Sequence, residues 1–272
     1  MQQSSPQDRC LLVDIGNSRI KWATVLAGTQ QFEQPTQAVD WTQATLNAVL
    51  DKAWLSLADV SRVLVANVAG PEVHFMVNQW WQQHQKLTPE FAGTTSHYSD
   101  LINGYKNFSE LGIDRWLGLI AVRHACPSQP VIVIGCGSAT TIDTVTADGH
   151  HKAGPIIPGW QIMLQALATR TALDVPKLPK YPTNLDAIVD GTSNGILSGV
   201  NFAAVSAINS AIDVIIRQQS YISSKAAGAD GVKIIATGGA AQALIPLTQL
   251  KNVQLEPDLV LKGLLLLSME VS

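Results

Sequence analysis

The sequence predicts an α/β protein with two similar lobes, on the basis of three observations. Its 272 residues exceed the roughly 150 that one domain usually takes, so we expect lobes at 1–126 and 127–272. Strand patterns alternate with helical patterns, which is typical of α/β folds. The stretches "LLVDIGNSRIKWATV" and "VIVIGCGSATTIDTV" share the order strand, small-residue turn, strand. This echo indicates either a duplicated lobe or a chance likeness of two short hairpins.

The first lobe combines strand patterns with helical apolar spacing. The strands are predicted at 10–15, 20–26 and 62–68, and the helices at 42–57, 71–84 and 113–125. Polar residues at 92–112 predict a long loop, and long loops in compact domains are often functional. The last helix places Asp114 and Arg115 in its first turn. Trp80 and Trp81 are predicted to pack against the core rather than to stack on a ligand.

The second lobe repeats this alternation. It predicts strand, glycine turn and strand in 130–146, a helix at 160–173, a proline-rich loop at 175–184, helices through 185–219, and strand, glycine turn and helix start in 232–246. The final stretch "LVLKGLLLLSMEV" is strongly apolar. Lys262 and Gly263 interrupt it, and it is shorter than the roughly 20 residues that span a bilayer. We therefore expect a buried terminal helix and no membrane attachment.

Composition narrows the class of protein. Hydrophobic residues make up 46% and charged residues 14%, which excludes general disorder and favours tight packing or a subunit interface. The net charge of -3 and the scattered basic residues give no field for a nucleic acid, so none is expected as a partner. The three cysteines lack metal-ligand spacing, and the first residues lack a secretion signal. These features predict a cytoplasmic protein.

The turn in "VDIGNSRIK", residues 13–21, contains the groups that a phosphate site needs. Gly16 lets the backbone approach a ligand, nearby amides and hydroxyls can donate to phosphate oxygens, Lys21 adds positive charge, and Asp14 can hold Mg²⁺ through water. The alternative is an ordinary hairpin turn in which Asp14 bonds turn amides. A second such hairpin and the glycine turn "ATGG" at 236–239 favour the phosphate site. Two phosphate hairpins with a glycine-rich adenosine turn recur in the actin, hexokinase and sugar-kinase group.

Five motifs in order, from about Leu11 to Leu267, resemble those of the type III pantothenate kinases. "DIGNSRIK" is similar to the family's first phosphate loop, with Ser18 where threonine is usual. "GIDR" is similar to its substrate motif, "GCGSATTID" to its second phosphate loop, and "GPIIPG" to its glycine-rich segment before a helix. Thr183 in "YPTN" matches a substrate-contacting threonine. The chain is identified as a member of that family.

The resemblance implies a fold and an activity. The fold is a duplicated two-lobed actin-like ATPase domain of the acetate and sugar kinase/heat-shock/actin superfamily. The activity is ATP-dependent phosphorylation of pantothenate to 4'-phosphopantothenate, the first step of coenzyme A biosynthesis. The expected partners are pantothenate, ATP with Mg²⁺, a monovalent cation (K⁺ or NH₄⁺) and a second copy of the chain in a homodimer.

The resemblance also implies roles for individual residues. Asp114 would be the general base, and Arg115 can bind a carboxylate bidentately. Residues implied to bind the substrate are Tyr105, Gly112, Ile113, Asp114, Arg115, His151 and Thr183. Residues implied to bind ATP are Asp14, Ile15, Gly16, Asn17, Ser18, Arg19, Ile20, Lys21, Ser138, Gly238 and Gly239, with Asp14 holding Mg²⁺ through water.

Each of these roles has a structural alternative. Asp114 could simply favour the positive end of a helix dipole, with Arg115 paired to it on the surface. Tyr105 could pack, His151 could be a solvated residue of a polar loop, and Thr183 could cap the following helix.

Besides Ser18, two positions depart from the family pattern. Gly135 stands where an aspartate contributes to the monovalent-cation site, and Ala153 replaces the first glycine of the pair before "PIIPG". The cation site could survive through backbone carbonyls and the Asp143 side chain, or a fixed cation such as a lysine could replace the ion. Dependence on a cation is therefore in question, whereas phosphoryl transfer is not. The alternatives in function are a related acyl or sugar kinase and a non-catalytic transcription accessory factor of the same fold. The presence of Asp14, Asp114 and Arg115 argues against the second of these.

Overall fold

A computed structural model describes residues 8–57, 59–171, 181–182, 184–186, 188–218 and 231–269. It divides the chain into two compact units. The first takes the described residues of Met1–Ser96, Asn107–Ala121 and Asp258–Ser272, and the second those of His97–Lys106 and Val122–Pro257. The sequence suggested two continuous lobes with one boundary after residue 126. In the structure, each unit also includes a segment from the other side of that boundary.

The elements alternate as expected for an α/β protein. The strands are β1 (Arg9–Ile15), β2 (Arg19–Leu26), β3 (Gln37–Asp40), β4 (Val60–Asn67), β5 (Glu90–Phe91), β6 (His97–Tyr98), β7 (Leu101–Ile102), β8 (Val131–Cys136), β9 (Ala139–Val145), β10 (His151–Pro158), β11 (Lys233–Thr237) and β12 (Val253–Leu255). The α-helices are α1 (Leu46–Trp54), α2 (Pro71–Gln85), α3 (Ile113–Ala125), α4 (Trp160–Arg170), α5 (Thr192–Arg217), α6 (Ala241–Leu244) and α7 (Leu259–Met269).

The two units contain sheets of the same topology. The first sheet has the order β3-β2-β1-β4-β5, and the second has β10-β9-β8-β11-β12. β1 and β2 form an antiparallel hairpin in the first sheet, as β8 and β9 do in the second. The central strands β1 and β8 also pair in parallel with β4 and β11, respectively. Corresponding strands thus follow the same order in sequence and in space. The predicted α/β fold with duplicated halves is confirmed.

The hairpin turns of the two sheets also correspond. The Gly16 N–H donates to the Arg19 carbonyl at 3.0 Å, and the Gly137 N–H donates to the Ala139 carbonyl at 3.0 Å. The second turn is one residue shorter, so the strands that leave the turns are offset by one position. The two hairpins therefore correspond glycine to glycine before the turn, and with a shift of one residue after it.

The core of the first unit is rich in tryptophan. Trp54 lies against Trp80 and Trp81, with ring centroids 5.7 Å and 5.5 Å away, and all three side chains are buried. The prediction that Trp80 and Trp81 pack is confirmed. Helix α7 also belongs to this unit, and its leucines are largely buried, as the apolar C-terminal stretch predicts. Burying such large apolar side chains is a main source of the free energy that stabilises a core.

In the second unit, α5 is a single helix of 26 residues where the sequence suggested helices over 185–219. Its length and apolar composition are sufficient to cross a bilayer, and one third of its most apolar window is buried within the protein. The buried face, which includes Val200, Ala204 and Ile208, packs into the core of the second unit. That packing is typical of a core helix of a globular domain.

The strands that sequence analysis missed are short or lie at sheet edges. β3, β5 and β12 have two to four residues, most of them exposed or half-buried, so they show no clear apolar alternation. β10 contains Gly154 and two prolines and forms the edge of the second sheet, where proline is tolerated. Reading His151 as part of a polar loop is wrong: it is the first residue of β10 and is fully buried.

Candidate functional site

The turn between β1 and β2 is held from outside by Trp41. The Trp41 indole Nε1–H donates to the Gly16 carbonyl, and its backbone N–H donates to the Ser18 carbonyl, both at 3.0 Å. Asn17 and Ser18 are exposed at the tip of the turn. These bonds fix carbonyl groups of the turn and leave its tip facing solvent. A fixed small-residue turn of this kind is suited to a phosphate group.

Other residues of the first phosphate motif play different parts. The side chains of Ile15 and Ile20 are fully buried in the core of the first unit, so the protein backbone is what they can offer a nucleotide. Arg19 lies on the opposite side of the hairpin from its core, with its Nε 3.7 Å from an Asp40 carboxylate oxygen. The motif therefore combines core residues, which fix the strands, with polar residues near the turn.

Asp14 is a carboxylate near the end of β1, in surroundings that disfavour its charge. It lies opposite Lys21 in the β1–β2 register. Burial and, to a smaller extent, the negative charge of Asp114 raise the pKa of Asp14 to about 7, although the nearby Lys21 ammonium acts in the opposite direction. Asp14 and Asp114, 100 residues apart in sequence, are thus close enough for their charges to interact. A cation near Asp14 would relieve this repulsion.

Lys21 has a second acidic neighbour that the sequence did not indicate. Its Nζ lies 3.5 Å from Asp258 Oδ1, and the Thr36 hydroxyl donates to the same oxygen at 2.9 Å. Asp258 immediately precedes α7, which returns to the first unit. Lys21 and Asp258 are 237 positions apart in sequence, which explains why no local motif could reveal the pair.

The "GIDR" segment begins α3 and has a geometric reason for its glycine. A Cβ built on Gly112 would lie 2.7 Å from Asp114 Oδ1, so a larger residue would have to displace this carboxylate. The Asp114 side chain turns back toward the helix start, where Oδ1 accepts the Arg115 N–H at 2.8 Å. Ile113 is buried, whereas Asp114 and Arg115 are half-buried. The first unit therefore brings together Asp14, Lys21 and the Gly112–Arg115 segment.

In the second unit, the turn between β8 and β9 meets the start of α4. The Gly159 N–H, just before that helix, donates to the Ser138 carbonyl at 2.9 Å. The "PIIPG" motif is therefore β10 followed by the glycine that opens α4. Ser138 is half-buried beside a helix N-terminus, a place that favours anions.

The glycine turn after β11 packs against the same hairpin. The Ala240 N–H donates to the Cys136 carbonyl at 3.1 Å, and Gly238 has a positive φ of 97°. A side chain at Gly238 would collide with the backbone of Cys136, which explains the glycine. The second unit thus brings Gly238 and Gly239 close to the turn that carries Ser138.

Tyr105 and His151 also meet within the second unit. Their rings are nearly parallel, at an interplanar angle of 14° with centroids 5.9 Å apart. His151 is fully buried, and Tyr105 is half-buried. The alternative that His151 is a solvated residue of a polar loop is therefore wrong, because its side chain is buried. Thr183 lies outside the described residues.

Gly135, at the position of the expected cation-site aspartate, lies on β8 opposite Thr141. A Cβ at residue 135 would be 2.6 Å from Thr141 Oγ1, so an aspartate there requires the threonine side chain to move. Among the described residues, no group of three or more His, Cys, Asp or Glu side chains could hold a metal ion. A metal held by Asp14 would therefore depend on water and a bound ligand for its other contacts.

A comparison with protein families and one with known sequences point to the same family. A family model for type III pantothenate kinase matches residues 10–214. The type III pantothenate kinase of Nitrosococcus oceani is 38% identical over 93% of this chain and 91% of its own length. That of Herminiimonas arsenicoxydans is 35% identical over 74% of this chain and 78% of its own length. A solved structure described as a conserved putative Baf family transcriptional activator from Campylobacter jejuni has a TM-score of 0.53 at 20% identity, covering 96% of this chain and 98% of that one. This last likeness concerns the fold alone.

Proposed function

Since the chain belongs to the type III pantothenate kinase family, we propose that it transfers the γ-phosphoryl group of ATP to pantothenate. The product is 4'-phosphopantothenate, and the reaction is the first step of coenzyme A biosynthesis. The observation that carries the proposal is the approach of the Asp14 and Asp114 carboxylates within the first unit, close enough for Asp114 to raise the pKa of Asp14. Two acidic groups so placed suit a reaction that needs both a cation-linked phosphate and a base.

Asp114 acts on the hydroxyl group of pantothenate. As the hydroxyl oxygen bonds to the γ-phosphorus, the bond from that phosphorus to the β–γ bridging oxygen breaks and ADP leaves. The hydroxyl proton passes to the Asp114 carboxylate. The absence of a side chain at Gly112 leaves room for this carboxylate. The Arg115 N–H, which donates to its Oδ1, holds it in place. Arg115 binds the carboxylate of pantothenate through its guanidinium group.

Asp14 and the β1–β2 turn act on ATP. Its carboxylate offers hard oxygen ligands, and Mg²⁺ bound with the nucleotide would be held there through water, where it neutralises phosphate charge. A cation beside Asp14 would also lower the pKa that burial and Asp114 raise. Backbone amides and the Ser18 hydroxyl donate to phosphate oxygens, and Lys21, paired with Asp258, supplies a fixed positive charge.

In the second unit, Ser138 and the start of α4 bind phosphate oxygens of ATP, and Gly238 and Gly239 bind its adenosine. Tyr105 contacts pantothenate. A glycine turn suits adenosine because the absence of side chains lets the flat base approach the backbone. Thr183 is a further proposed substrate contact, on the strength of the sequence motif alone.

The oligomeric state and location are further parts of the proposal. We propose a cytoplasmic homodimer with no nucleic acid or membrane partner. The outer face of α5 exposes large apolar side chains, with Phe202, Val214 and Ile216 at 38%, 50% and 43% of full exposure. Together with a charged content of 14%, this apolar face favours contact with a second copy of the chain.

A monovalent cation, K⁺ or NH₄⁺, is proposed to activate the enzyme only weakly. Gly135 offers no carboxylate, and the Thr141 hydroxyl is adjacent to its position. A cation bound by neutral oxygens alone is held less tightly than one with a charged ligand.

Pantothenate-dependent formation of ADP tests the proposal. The purified chain is assayed with Mg-ATP and a panel that includes pantothenate, simple sugars and short carboxylic acids, and the phosphorylated product is identified by mass. We expect turnover with pantothenate and none above background with the other compounds. Preferred turnover of a sugar or an acid would instead assign the related-kinase alternative. No turnover with any compound would support the non-catalytic alternative.

A further inference from the structure

Asp143 and His151 form a buried polar pair in the second unit, the Asp143–His151 pair. His151 Nε2 lies 2.9 Å from Asp143 Oδ1. His151 is 0% exposed and Asp143 is 3% exposed. Asp143 faces Ala153 across the β9–β10 ladder, and His151 is two residues before Ala153, so both side chains project from the same face of the sheet. A buried carboxylate is costly unless it is paired, which gives this pair a defined geometry.

The backbone of Gly104 determines which nitrogen of His151 carries the proton. Its N–H, which can only donate, points to His151 Nδ1 at 3.3 Å. Nδ1 is therefore the acceptor, and the proton of the neutral imidazole lies on Nε2, from which it is donated to Asp143. Rotation of the ring by half a turn would present carbon atoms to both partners. The imidazole is thus fixed in one orientation.

The same contacts fix the segment that leads to Tyr105. The Ile102 N–H donates to the Gly149 carbonyl at 2.8 Å, two residues before His151. A Cβ on Gly104 would lie 2.0 Å from the His151 carbonyl oxygen, so the two backbones approach as closely as glycine permits. Tyr105 follows directly, its N–H donating to the Asn103 side-chain oxygen at 3.0 Å and its ring lying parallel to the imidazole.

We propose that Asp143 is a positioning residue for substrate binding: it orients His151, and His151 in turn sets the backbone and ring of Tyr105. This inference rests on the proposed contact between Tyr105 and pantothenate. It also revises the role of His151, whose two ring nitrogens are engaged by protein groups and whose surface is inaccessible. His151 supports the substrate contact from behind and does not make one itself.

A double-mutant cycle between Asp143 and Tyr105 tests the inference. Asp143→Ala should raise the KM for pantothenate about 10-fold, while kcat and the KM for ATP change less than about 2-fold. Tyr105→Ala should raise the same KM at least as much. Both substitutions are expected to weaken the same contact, the one between Tyr105 and pantothenate. The double variant should therefore have a pantothenate KM close to that of Tyr105→Ala. Asp143→Asn retains an oxygen that can accept the Nε2–H, so it should restore a KM within about 3-fold of the natural protein.

Two further variants separate positioning from a general loss of stability. Asp143→Val serves if Asp143→Ala does not fold, because a β-branched apolar side chain suits a buried strand. Thr144→Val alters the neighbouring buried position of β9, whose side chain projects to the other face of the sheet, and should leave the pantothenate KM unchanged. Melting temperatures are measured for every variant.

The outcomes are distinct. If Tyr105→Ala leaves the pantothenate KM unchanged, the proposed substrate contact is wrong, and the inference is overturned with it. If Tyr105→Ala raises this KM but the effects of Asp143→Ala and Tyr105→Ala multiply, or Asp143→Ala changes kcat and both KM values alike, the contact stands and the positioning role is overturned. The positioning role is supported if the double variant has about the same pantothenate KM as Tyr105→Ala, and if the KM of Asp143→Asn stays close to that of the natural protein.

Discussion

The two hairpins share a topology and differ in charge. Asp14 and Gly135 occupy corresponding positions, each two residues before the glycine that opens the turn. Opposite Asp14 stands Lys21, whereas opposite Gly135 stands Thr141. The first hairpin therefore carries a carboxylate and an ammonium group, and the second carries neither at these positions. We propose that the two hairpins therefore have different roles toward ATP: the first supplies charged groups, and the second supplies backbone groups and a helix N-terminus.

The largest expected difference between the two hairpins follows from substitutions at their corresponding positions. Asp14→Asn should lower kcat by roughly 10²- to 10³-fold, because it removes the carboxylate proposed to hold Mg²⁺ through water. Gly135→Ala, at the corresponding position, should lower kcat less than about 10-fold, since it adds one methyl group beside the Thr141 hydroxyl. Steady-state kinetics at saturating substrates measure both. If both substitutions lowered kcat by the same factor, the proposed difference in role between the two hairpins would be wrong.

An intermediate effect is expected when the second hairpin is given a carboxylate. Gly135→Asp should reduce the K⁺ concentration needed for half-maximal activity, because a charged oxygen binds a cation more tightly than neutral oxygens do. The assay compares sodium, potassium and ammonium buffers at matched ionic strength. Gly135→Ala is the control, since it also crowds Thr141 and adds no charge. If the natural protein already saturates at low K⁺ and the aspartate changes nothing, residue 135 is not at a cation site.

The smallest effect is one of stability and depends on pH. The pKa of Asp14 is raised to about 7 in the folded protein from an ordinary 3.8, so folding favours its protonated form. This contribution is fully present below pH 3.8 and is lost as pH rises through about 7. Without nucleotide or Mg²⁺, Asp14→Asn should therefore melt about 2 °C or more above the natural protein at pH 8, with a smaller difference at pH 4. If the difference in melting temperature is the same at pH 4 and pH 8, the surroundings of Asp14 do not disfavour its charged form.

Much of the fold could be predicted from the sequence because central strands and core-facing helices carry local signals. β1, β4 and β8 are apolar runs, and α3 was predicted with its observed bounds because its buried residues recur at helical spacing. β10 was missed because only one of its eight side chains is buried. An edge strand depends on its neighbour for pairing, and no local pattern records that.

The candidate site divides in the same way. Asp14 and Asp114 could be predicted because each lies in a short motif whose spacing is local. The contact of Asp143 with His151 and that of Asp258 with Lys21 could not. The first depends on the pairing of β9 with β10, and the second joins residues 237 positions apart in sequence. The burial of His151 was also beyond prediction, because it depends on strand pairing at a sheet edge. Polar residues that position others have no motif of their own.

The most direct test of the account is the turnover of Asp114→Asn. The amide keeps the size of the side chain and its bond with the Arg115 N–H but cannot accept the hydroxyl proton. We expect kcat with pantothenate to fall by roughly 10²- to 10⁴-fold while ATP binding and the melting curve stay close to those of the natural protein. Glu110→Gln, an exposed acid just before α3, is the matched control and should retain full turnover. Near-normal turnover by a folded Asp114→Asn would contradict the claim that this carboxylate is the base.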